Sequence, residues 1–321
     1  MLGLLTDIKK QYEQKENCAL AVVVDVDGSA PRGAGAYMLV TAKGRAWGTI
    51  GSGITEYEAQ CKAQEQIAAK RNKLCTFSLT PQENKMCGGM QMVLLHYLDM
   101  QEEESRANIA ELIALVESGK SFWLQVPYVT GKLEFSAERL EAEGISGHCG
   151  NVELNSKLYY VEEFNYDGMV YIFGGGHVAQ ELVPVLSHVD FRCVVIDDRA
   201  EFANGELFPA AVDTLQADYN NLEHYLQIQA NDYLVIMTRA HTYDTEVERF
   251  ALKTEASYIG VMGSKFKARM TEAKLLDEGY SEWDISRVIT PIGLDINSET
   301  PAEIAISIAA QLIQERAKRY K

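Results

Sequence analysis

The feature that most constrains the fold of this chain lies between residues 170 and 198. A short apolar strand, Val170 to Phe173, leads directly into the turn Gly174-Gly175-Gly176-His177-Val178-Ala179, and a helical pattern follows. A second apolar run, Val194 to Ile196, ends in Asp197-Asp198, twenty-three residues after Gly174. Strand, glycine turn, helix and acidic strand end in this order are typical of a dinucleotide-binding βαβ unit.

Each small residue of this turn has a physical role in that interpretation. Gly174 makes the tight turn, Gly176 lets the main chain approach a pyrophosphate, and Ala179 permits close contact between helix and strand. The amides at the helix start then face the anion, which the helix dipole also attracts. We predict cofactor-binding residues at Gly174, Gly175, Gly176, His177, Val178, Ala179, Asp197 and Asp198, with one of the two acids accepting hydrogen bonds from a ribose. The alternatives are a glycine turn that binds nothing and a solvated strand end.

The second half of the chain repeats the strand and helix alternation that builds a parallel sheet covered on both faces. Its predicted strands are 169–173, 192–197, 233–238 and 257–262, with weaker candidates at 211–215 and 287–290. Its predicted helices are 177–187, 244–253 and 264–277, followed by a last helix that Thr300, Pro301 and Glu303 begin as a capping box. Residues such as Thr238-Arg239-Ala240-His241 follow strand ends, where they either contact a ligand or cap helices, and Arg239 binds a phosphate or forms a surface ion pair.

The first half predicts a mixed α/β domain. We expect helices at 3–14, 55–71 and 104–117, and strands at 19–25, 74–79, 90–97, 122–129 and 158–161, with a hairpin that turns at Lys43-Gly44. Residues 130–157 form a loop or a hairpin insertion. The polar stretch 162–168 is the expected boundary, which gives an N-terminal domain over 1–165 and a Rossmann-like domain over 166–321.

Composition excludes some classes of function. The formal net charge of −16 opposes binding to nucleic acid, which depends on clustered Lys and Arg. The six cysteines contain no CxxC pair and resemble neither a disulfide framework nor a zinc site. No signal peptide is recognised, and the apolar runs are too short to insert stably into a membrane, so we expect a cytoplasmic protein.

Three glycine loops in the first half suggest a second region where the main chain approaches a ligand closely. They are Gly28 to Gly35 with Arg32, then Gly51-Ser52-Gly53 before a helix that contains Glu56, and Cys87-Gly88-Gly89. Taken singly, each loop is explained by turn chemistry. Cys87 is a candidate thiol because two glycines leave its sulfur accessible, and a thiolate is both a nucleophile and a soft metal ligand. Its alternative role is that of a half-buried small apolar residue.

The combination of these motifs resembles the XdhC/CoxI family, the accessory proteins of molybdenum-cofactor enzymes such as xanthine dehydrogenase. The segments that carry the resemblance are 28–32, 48–53 with Glu56, 87–89, 174–179, 197–199, 258–264, 291–295 and 300–303. Many members of the family carry a cysteine where this chain has Ile54. If that thiol handles the metal or the sulfur, this chain relies on Cys87 or acts differently.

The resemblance implies a function and a set of partners. It implies that the protein binds the molybdenum cofactor, assists its sulfuration and delivers it to a molybdenum hydroxylase, with the phosphate end held by glycine loops and helix starts and the metal end held by Cys87. It further implies a cysteine desulfurase as a second partner and a homodimer, and it makes the protein a cofactor-binding chaperone rather than a turnover enzyme.

Two other functions stay open at the level of sequence. The Rossmann motif alone suggests an oxidoreductase that uses NAD(P), which requires an acid/base residue beside the nicotinamide, and His177 and His241 are the candidates. A regulatory nucleotide sensor would need only the second half and would leave the first-half loops unexplained.

Overall fold

A computed structural model describes residues 2–51, 53–79, 88–118, 121–129, 132–138, 145–146, 149–164 and 168–318. By its internal contacts the chain divides into two compact units, Met1–Tyr166 and Asp167–Lys321. Both units combine helices with sheets, which confirms the predicted α/β class. None of the described helices combines the length and the apolar character needed to cross a bilayer.

The first unit is built from antiparallel strands and the helices that cover them. Its described elements are, in chain order, α1 (Leu2–Gln14), β1 (Cys18–Asp27), β2 (Tyr37–Thr41), β3 (Gly44–Gly48), α2 (Ile54–Ala69), β4 (Lys73–Ser78), β5 (Met90–Leu98), α3 (Glu103–Ser118), β6 (Phe122–Pro127), β7 (Glu134–Ser136), β8 (Ile145–Ser146), β9 (Cys149–Leu154) and β10 (Lys157–Phe164). The described strands form one sheet in the order β3-β2-β1-β5-β4 and a second in the order β7-β6-β10-β9-β8.

Strand β1 shows why a continuous apolar run folds as a strand here. It lies in the middle of its sheet, between β2 and β5, and its side chains alternate between two cores. Leu20 and Val22 pack in the core that contains α1 and α3, while Ala21 and Val23 pack in the core that contains α2. Because both faces are covered over residues 18–24, this part of the strand is apolar on both faces.

In the first unit, the structure extends one predicted strand and decides between the two alternatives left open for another segment. Strand β10 continues to Phe164, beyond the predicted end at Val161, so the acidic residue Glu162 lies inside a sheet. Residues 130–157, predicted as a loop or a hairpin insertion, contain β7, β8 and β9, and β9 forms a hairpin with β10. The hairpin predicted at Lys43-Gly44 is confirmed as β2 and β3.

The second unit is a parallel sheet with helices on both faces. Its principal elements are β11 (Met169–Phe173), α4 (His177–His188), β12 (Arg192–Asp197), β13 (Asp213–Gln216), β14 (Tyr233–Ile236), α5 (His241–Leu252), β15 (Tyr258–Val261), α6 (Lys265–Asp277), α7 (Glu282–Ser286), β16 (Val288–Ile289) and α8 (Pro301–Lys318). The strand order is β13-β12-β11-β14-β15-β16 and every pair is parallel, which confirms the predicted Rossmann-like sheet.

The helices of this unit cover the sheet in pairs. Helices α4 and α8 share one core with the inward side chains of β11, and α5 and α6 share the core on the opposite face. The capping box that begins α8 is confirmed, since the Thr300 N–H donates to Glu303 Oε2 at 2.9 Å and the Glu303 N–H donates to Thr300 Oγ1 at 3.3 Å. Helix α7, which begins with a capping box between Ser281 and Asp284, was not predicted.

Candidate functional site

The predicted glycine turn lies at the carboxyl end of β11, in the centre of the parallel sheet. Gly174 has a φ of 111°, which L side chains rarely adopt, and its N–H donates to the Ile196 carbonyl at 2.7 Å. A Cβ at this position would also overlap the Met237 carbonyl oxygen. Only glycine fits here, because the turn lies between the neighbouring strands β12 and β14.

Gly175 is fixed by a different neighbour. Its N–H donates to Asp197 Oδ2 at 2.9 Å, and a Cβ would overlap the carbonyl oxygen of Phe202. Gly175 is therefore needed for packing inside the protein.

Gly176 is the position at which a ligand can approach. No atom lies within 4 Å of a Cβ built there, and its φ of −72° is open to any residue. Gly176 begins α4, and no side chain caps this helix. Within residues 168–318, all of which the structure describes, the N–H groups of Gly176, His177 and Val178 have no hydrogen-bond partner. Buried Ala179 brings α4 close to the sheet, so these donors form an open cradle that fits a phosphate group.

The carboxylate of Asp197 stabilises the cradle from within the protein. Its side chain is 1% exposed and accepts from Gly175, from the Arg199 N–H at 3.1 Å and from Arg199 Nε at 2.9 Å. Burial by itself raises the pKa of Asp197, but the hydrogen bonds from Arg199 and Gly175 outweigh it and the pKa is lower than usual. Because its acceptor sites are occupied, Asp197 is poorly placed to meet a ribose.

Asp198 is the more accessible of the two acids. Its Oδ2 accepts from Arg239 Nη2 at 2.7 Å, and its Oδ1 lies 3.6 Å from Arg199 Nε. The two guanidinium groups also stack on aromatic rings, Arg199 on Phe202 at 3.8 Å and Arg239 on Tyr243 at 5.1 Å. Arg239 therefore forms the surface ion pair that was one of its two sequence-based alternatives. The geometry makes Asp198 the better candidate for a ribose contact.

The structure brings together the three glycine loops of the first unit. A Cβ at Gly89 would come within 2.5 Å of the Asp27 carbonyl oxygen, and Gly28 packs directly on Gly89. The fully buried carboxamide of Gln91 then links the other two loops, because its Nε2 donates to the carbonyls of Arg32 at 3.1 Å and Ile50 at 2.8 Å. The close approach predicted for these loops is thus, in the described residues, an approach of main chain to main chain.

Each predicted residue in these loops has a definite environment where it is described. The side chain of Arg32 is exposed, Gly51 packs on Pro31, and Gly53 begins α2 with a φ of 65°. Gly88 donates its N–H to the Leu79 carbonyl at 2.8 Å. Ser52 and the candidate thiol Cys87 lie outside the described residues. Among the described residues, no group of three or more His, Cys, Asp or Glu side chains is suited to hold a metal ion.

Glu56 lies in the first turn of α2, where its carboxylate pairs with Arg45 Nη1 at 2.5 Å and accepts a hydrogen bond from the Thr49 hydroxyl. These contacts tie the start of the helix to β3 and to the loop before it. Glu56 is thus a structural acid in the described geometry.

Two polar residues were not predicted from the sequence as part of these regions. They are Gln91, beside the glycine loops of the first unit, and Asp244, beside the glycine turn of the second. Gln91 lies in the apolar run of β5, and its isolated polarity was an available signal. Asp244 lies in the first turn of α5, where its Oδ1 accepts from the N–H of Thr238 at 3.0 Å and from the Thr238 hydroxyl at 2.6 Å. It thereby connects the helix to the end of β14, next to Gly174.

The fold and the cradle define a class of protein with a Rossmann unit preceded by a second α/β unit. A family model described as the XdhC Rossmann domain matches residues 170–312, and one described as the XdhC and CoxI family matches residues 11–78. The chain belongs to the XdhC/CoxI family.

Similarity to individual proteins extends over nearly the whole chain. A Bacillus subtilis protein named as a probable xanthine dehydrogenase subunit is 25% identical, and the similarity covers 95% of each chain. The Escherichia coli protein YqeB is 24% identical over 98% of this chain, which spans only 46% of that relative. A crystal structure described as a xanthine dehydrogenase of Bacillus halodurans has a TM-score of 0.82 and 25% identity, and the match covers 98% of this chain and 96% of that one.

Proposed function

We propose that this protein acts in the maturation of a xanthine dehydrogenase-like molybdenum hydroxylase, by binding the molybdenum cofactor, assisting its sulfuration and delivering it. The observation that carries the proposal is the open cradle of main-chain N–H groups at Gly176, His177 and Val178. Membership of the XdhC/CoxI family and the names of the relatives in Bacillus direct this general phosphate site toward that cofactor.

The residues of the cradle fit the phosphate end of such a cofactor. A phosphate group would accept hydrogen bonds from the unpartnered N–H groups, and the start of α4 supplies a favourable dipole. If a nucleotide extends the cofactor, Asp198 is our candidate for the acid that contacts its ribose. When bound, the cofactor supplies the molybdenum centre at which the partner hydroxylase does its chemistry.

For the metal end of the cofactor, the proposal depends on the sequence alone. Cys87 is our candidate for a thiolate that contacts molybdenum or handles sulfur, since this chain has Ile54 where many relatives carry a cysteine. Among the described cysteines, the partly buried Cys149 lies beside Tyr160 and Glu162, and burial raises the pKa of its thiol. Because a raised pKa leaves less thiolate at neutral pH, Cys149 is a poor candidate for the reactive group.

A role in cofactor maturation also leads to proposals for the location, oligomeric state and partners of the protein. We propose a cytoplasmic homodimer that receives sulfur from a cysteine desulfurase and meets the molybdenum hydroxylase as its second partner. The unpaired cysteines among the described residues are consistent with a reducing compartment.

An oxidoreductase that uses NAD(P) is the second candidate function. The observation that favours it is the position of His241 at the start of α5, where its Nε2 lies 3.3 Å from the hydroxyl of Thr271. An acid/base group at this edge of the sheet is what such an enzyme needs near the nicotinamide.

Anaerobic titration tests the two functions against each other. Purified full-length protein is titrated with molybdenum cofactor and, separately, with NADH, and the complexes are counted by native mass spectrometry. The proposal expects molybdenum cofactor to bind near one per chain or per dimer. Binding of NADH alone would favour the oxidoreductase, and binding of neither ligand would contradict both functions.

A further inference from the structure

A small recess lies between α5 and α6, at the carboxyl ends of β14 and β15. Its lining includes Glu248 from α5, Gly263 from the loop after β15, Lys267 and Thr271 from α6, and Thr290. Its volume is about 10 Å³, which is roughly the space that one water-sized group needs. The recess can therefore take a single small polar group.

The carboxylate of Glu248 faces this recess without a donor. The residue is 5% exposed, and within the fully described range 168–318 its side chain has no hydrogen bond or ion pair. Burial, and then the neighbouring carboxylate of Asp244, raise the pKa of Glu248 to about 7, whereas Arg249 lowers it. A largely buried carboxylate with no donor from the protein is poorly solvated, so a ligand that brings an N–H group would stabilise it.

The recess and the phosphate cradle lie along one edge of the sheet. Gly174 packs against Thr238, whose hydroxyl donates to Asp244, and Glu248 follows Asp244 by one helical turn on the same face of α5. Ligands of open parallel sheets cross this carboxyl edge at the point where the strand order reverses, which here is between β11 and β14. A ligand whose phosphate lies on α4 can thus extend toward α5.

We propose that Glu248 binds the amino or amide N–H group of a nitrogen heterocycle whose phosphate lies in the cradle. This inference rests on the proposed function and adds the position of the ring to it. Two sources share this chemistry, namely the amino group of the pterin in the molybdenum cofactor and the carboxamide of nicotinamide. Lys267 flanks the recess as a donor for a ring carbonyl.

The test compares Glu248→Gln with Glu272→Gln, a matched change at an exposed position of α6. Anaerobic calorimetric titrations at pH 6 and pH 8 measure the affinities for molybdenum cofactor, NADH and the NADH analogue that carries a carboxylate in place of the carboxamide. We expect Glu248→Gln to weaken the true ligand about tenfold or more at pH 8, because a charge-assisted hydrogen bond is lost. Glu272→Gln is expected to bind like the wild type.

The pH dependence separates binding from a structural effect. A pKa of about 7 leaves more of Glu248 protonated at pH 6 than at pH 8, so the difference in affinity between wild type and Glu248→Gln should shrink at pH 6. The other ionisable groups near Glu248 are His241, Asp244 and Arg249 on α5 and Lys267 on α6, and they are present in both proteins. If nicotinamide is the ring, wild type but not Glu248→Gln should discriminate strongly against the carboxylate analogue.

Two further results would overturn the inference in distinguishable ways. If Glu248→Gln binds as tightly as wild type at pH 8 while Gly176→Val abolishes binding, the cradle holds the ligand and the assignment of Glu248 is wrong. If wild type binds none of the ligands, the proposed function is wrong and the inference falls with it.

Discussion

The neighbouring glycines Gly175 and Gly176 lead to opposite predictions, because the smaller substitution at Gly175 should destabilise the protein more than the larger one at Gly176. Gly176→Val adds a side chain where no atom lies within 4 Å, at a φ that valine adopts freely. Valine at the N-terminal cap costs about 1 kcal/mol relative to glycine, and the reduced freedom of the unfolded chain offsets part of this. We expect the free energy of unfolding to change by about 1 kcal/mol at most.

Binding should respond very differently to Gly176→Val. The new side chain occupies the approach to the N–H groups of His177 and Val178. Loss of two charge-assisted hydrogen bonds at about 1.5–3 kcal/mol each corresponds to a hundredfold or greater loss of affinity. Gly175→Ala is the contrasting change, because its Cβ would overlap the Phe202 carbonyl oxygen, and we expect it to destabilise the protein by about 3 kcal/mol.

Thermal unfolding and anaerobic calorimetry, measured on the same preparations, test this pair. Gly176→Val should unfold near the wild-type temperature and bind molybdenum cofactor and NADH at least a hundredfold more weakly than the wild type, whichever of the two the wild type binds. A Gly176→Val protein that keeps wild-type affinity would refute the cradle, and a Gly175→Ala protein of wild-type stability would refute the packing argument.

Three further predictions concern other parts of the molecule. Asp197→Ala should lower the free energy of unfolding by about 3 kcal/mol, because buried donors including the Gly175 N–H lose their acceptor. Urea unfolding measures this change, and an unchanged midpoint would contradict the prediction. Glu248→Gln should stabilise the protein by up to about 3 kcal/mol at pH 8 and by little at pH 5. The reason is that a folded-state pKa of about 7 favours the folded state below about pH 4.5, and this advantage is lost as the pH rises through 7. Urea unfolding measures the effect, and equal effects at both pH values would count against the prediction. Cys87→Ser should reduce cofactor retention or delivery more than Cys75→Ser, a buried control, as measured by cofactor content after gel filtration, and equal retention would make Cys87 a packing residue.

The sequence predicts the Rossmann unit closely because its signals are local. Strand β11, the glycine turn and α4 follow one another within twenty residues, and their boundaries agree with the prediction to within a residue. The unpredicted helix α7 also had a local signal, the pair Ser281 and Asp284, which forms a capping box. This pair of residues was therefore enough to predict the start of α7.

Where a helix or strand begins or ends at a residue other than the predicted one, a side-chain hydrogen bond near that end sets the boundary. Helix α5 begins at His241, three residues before the predicted start at Asp244. The carboxylate of Asp244 accepts from Thr238, so the end of the predicted strand 233–238 forms the turn that leads into the helix. An acidic residue indicates that a helix begins nearby, but it is compatible with several positions of the first turn and so does not fix the first residue of the helix.

Distant pairings were beyond the reach of the sequence. Glu162 extends β10 because the buried hydroxyl groups of Tyr37 and Tyr160 donate to its carboxylate, and Tyr37 is 125 residues away. Burial is the largest cause that raises the pKa of Glu162, to about 7. The same holds for Glu248, whose environment depends on the packing of α6 beside α5.

The most direct test of the cradle is a crystal structure of the protein with molybdenum cofactor bound under anaerobic conditions. The account predicts that phosphate oxygens lie within hydrogen-bond distance of the main-chain nitrogens of Gly176, His177 and Val178. A structure in which side chains fill this space, and the cofactor phosphate lies elsewhere, would contradict the account.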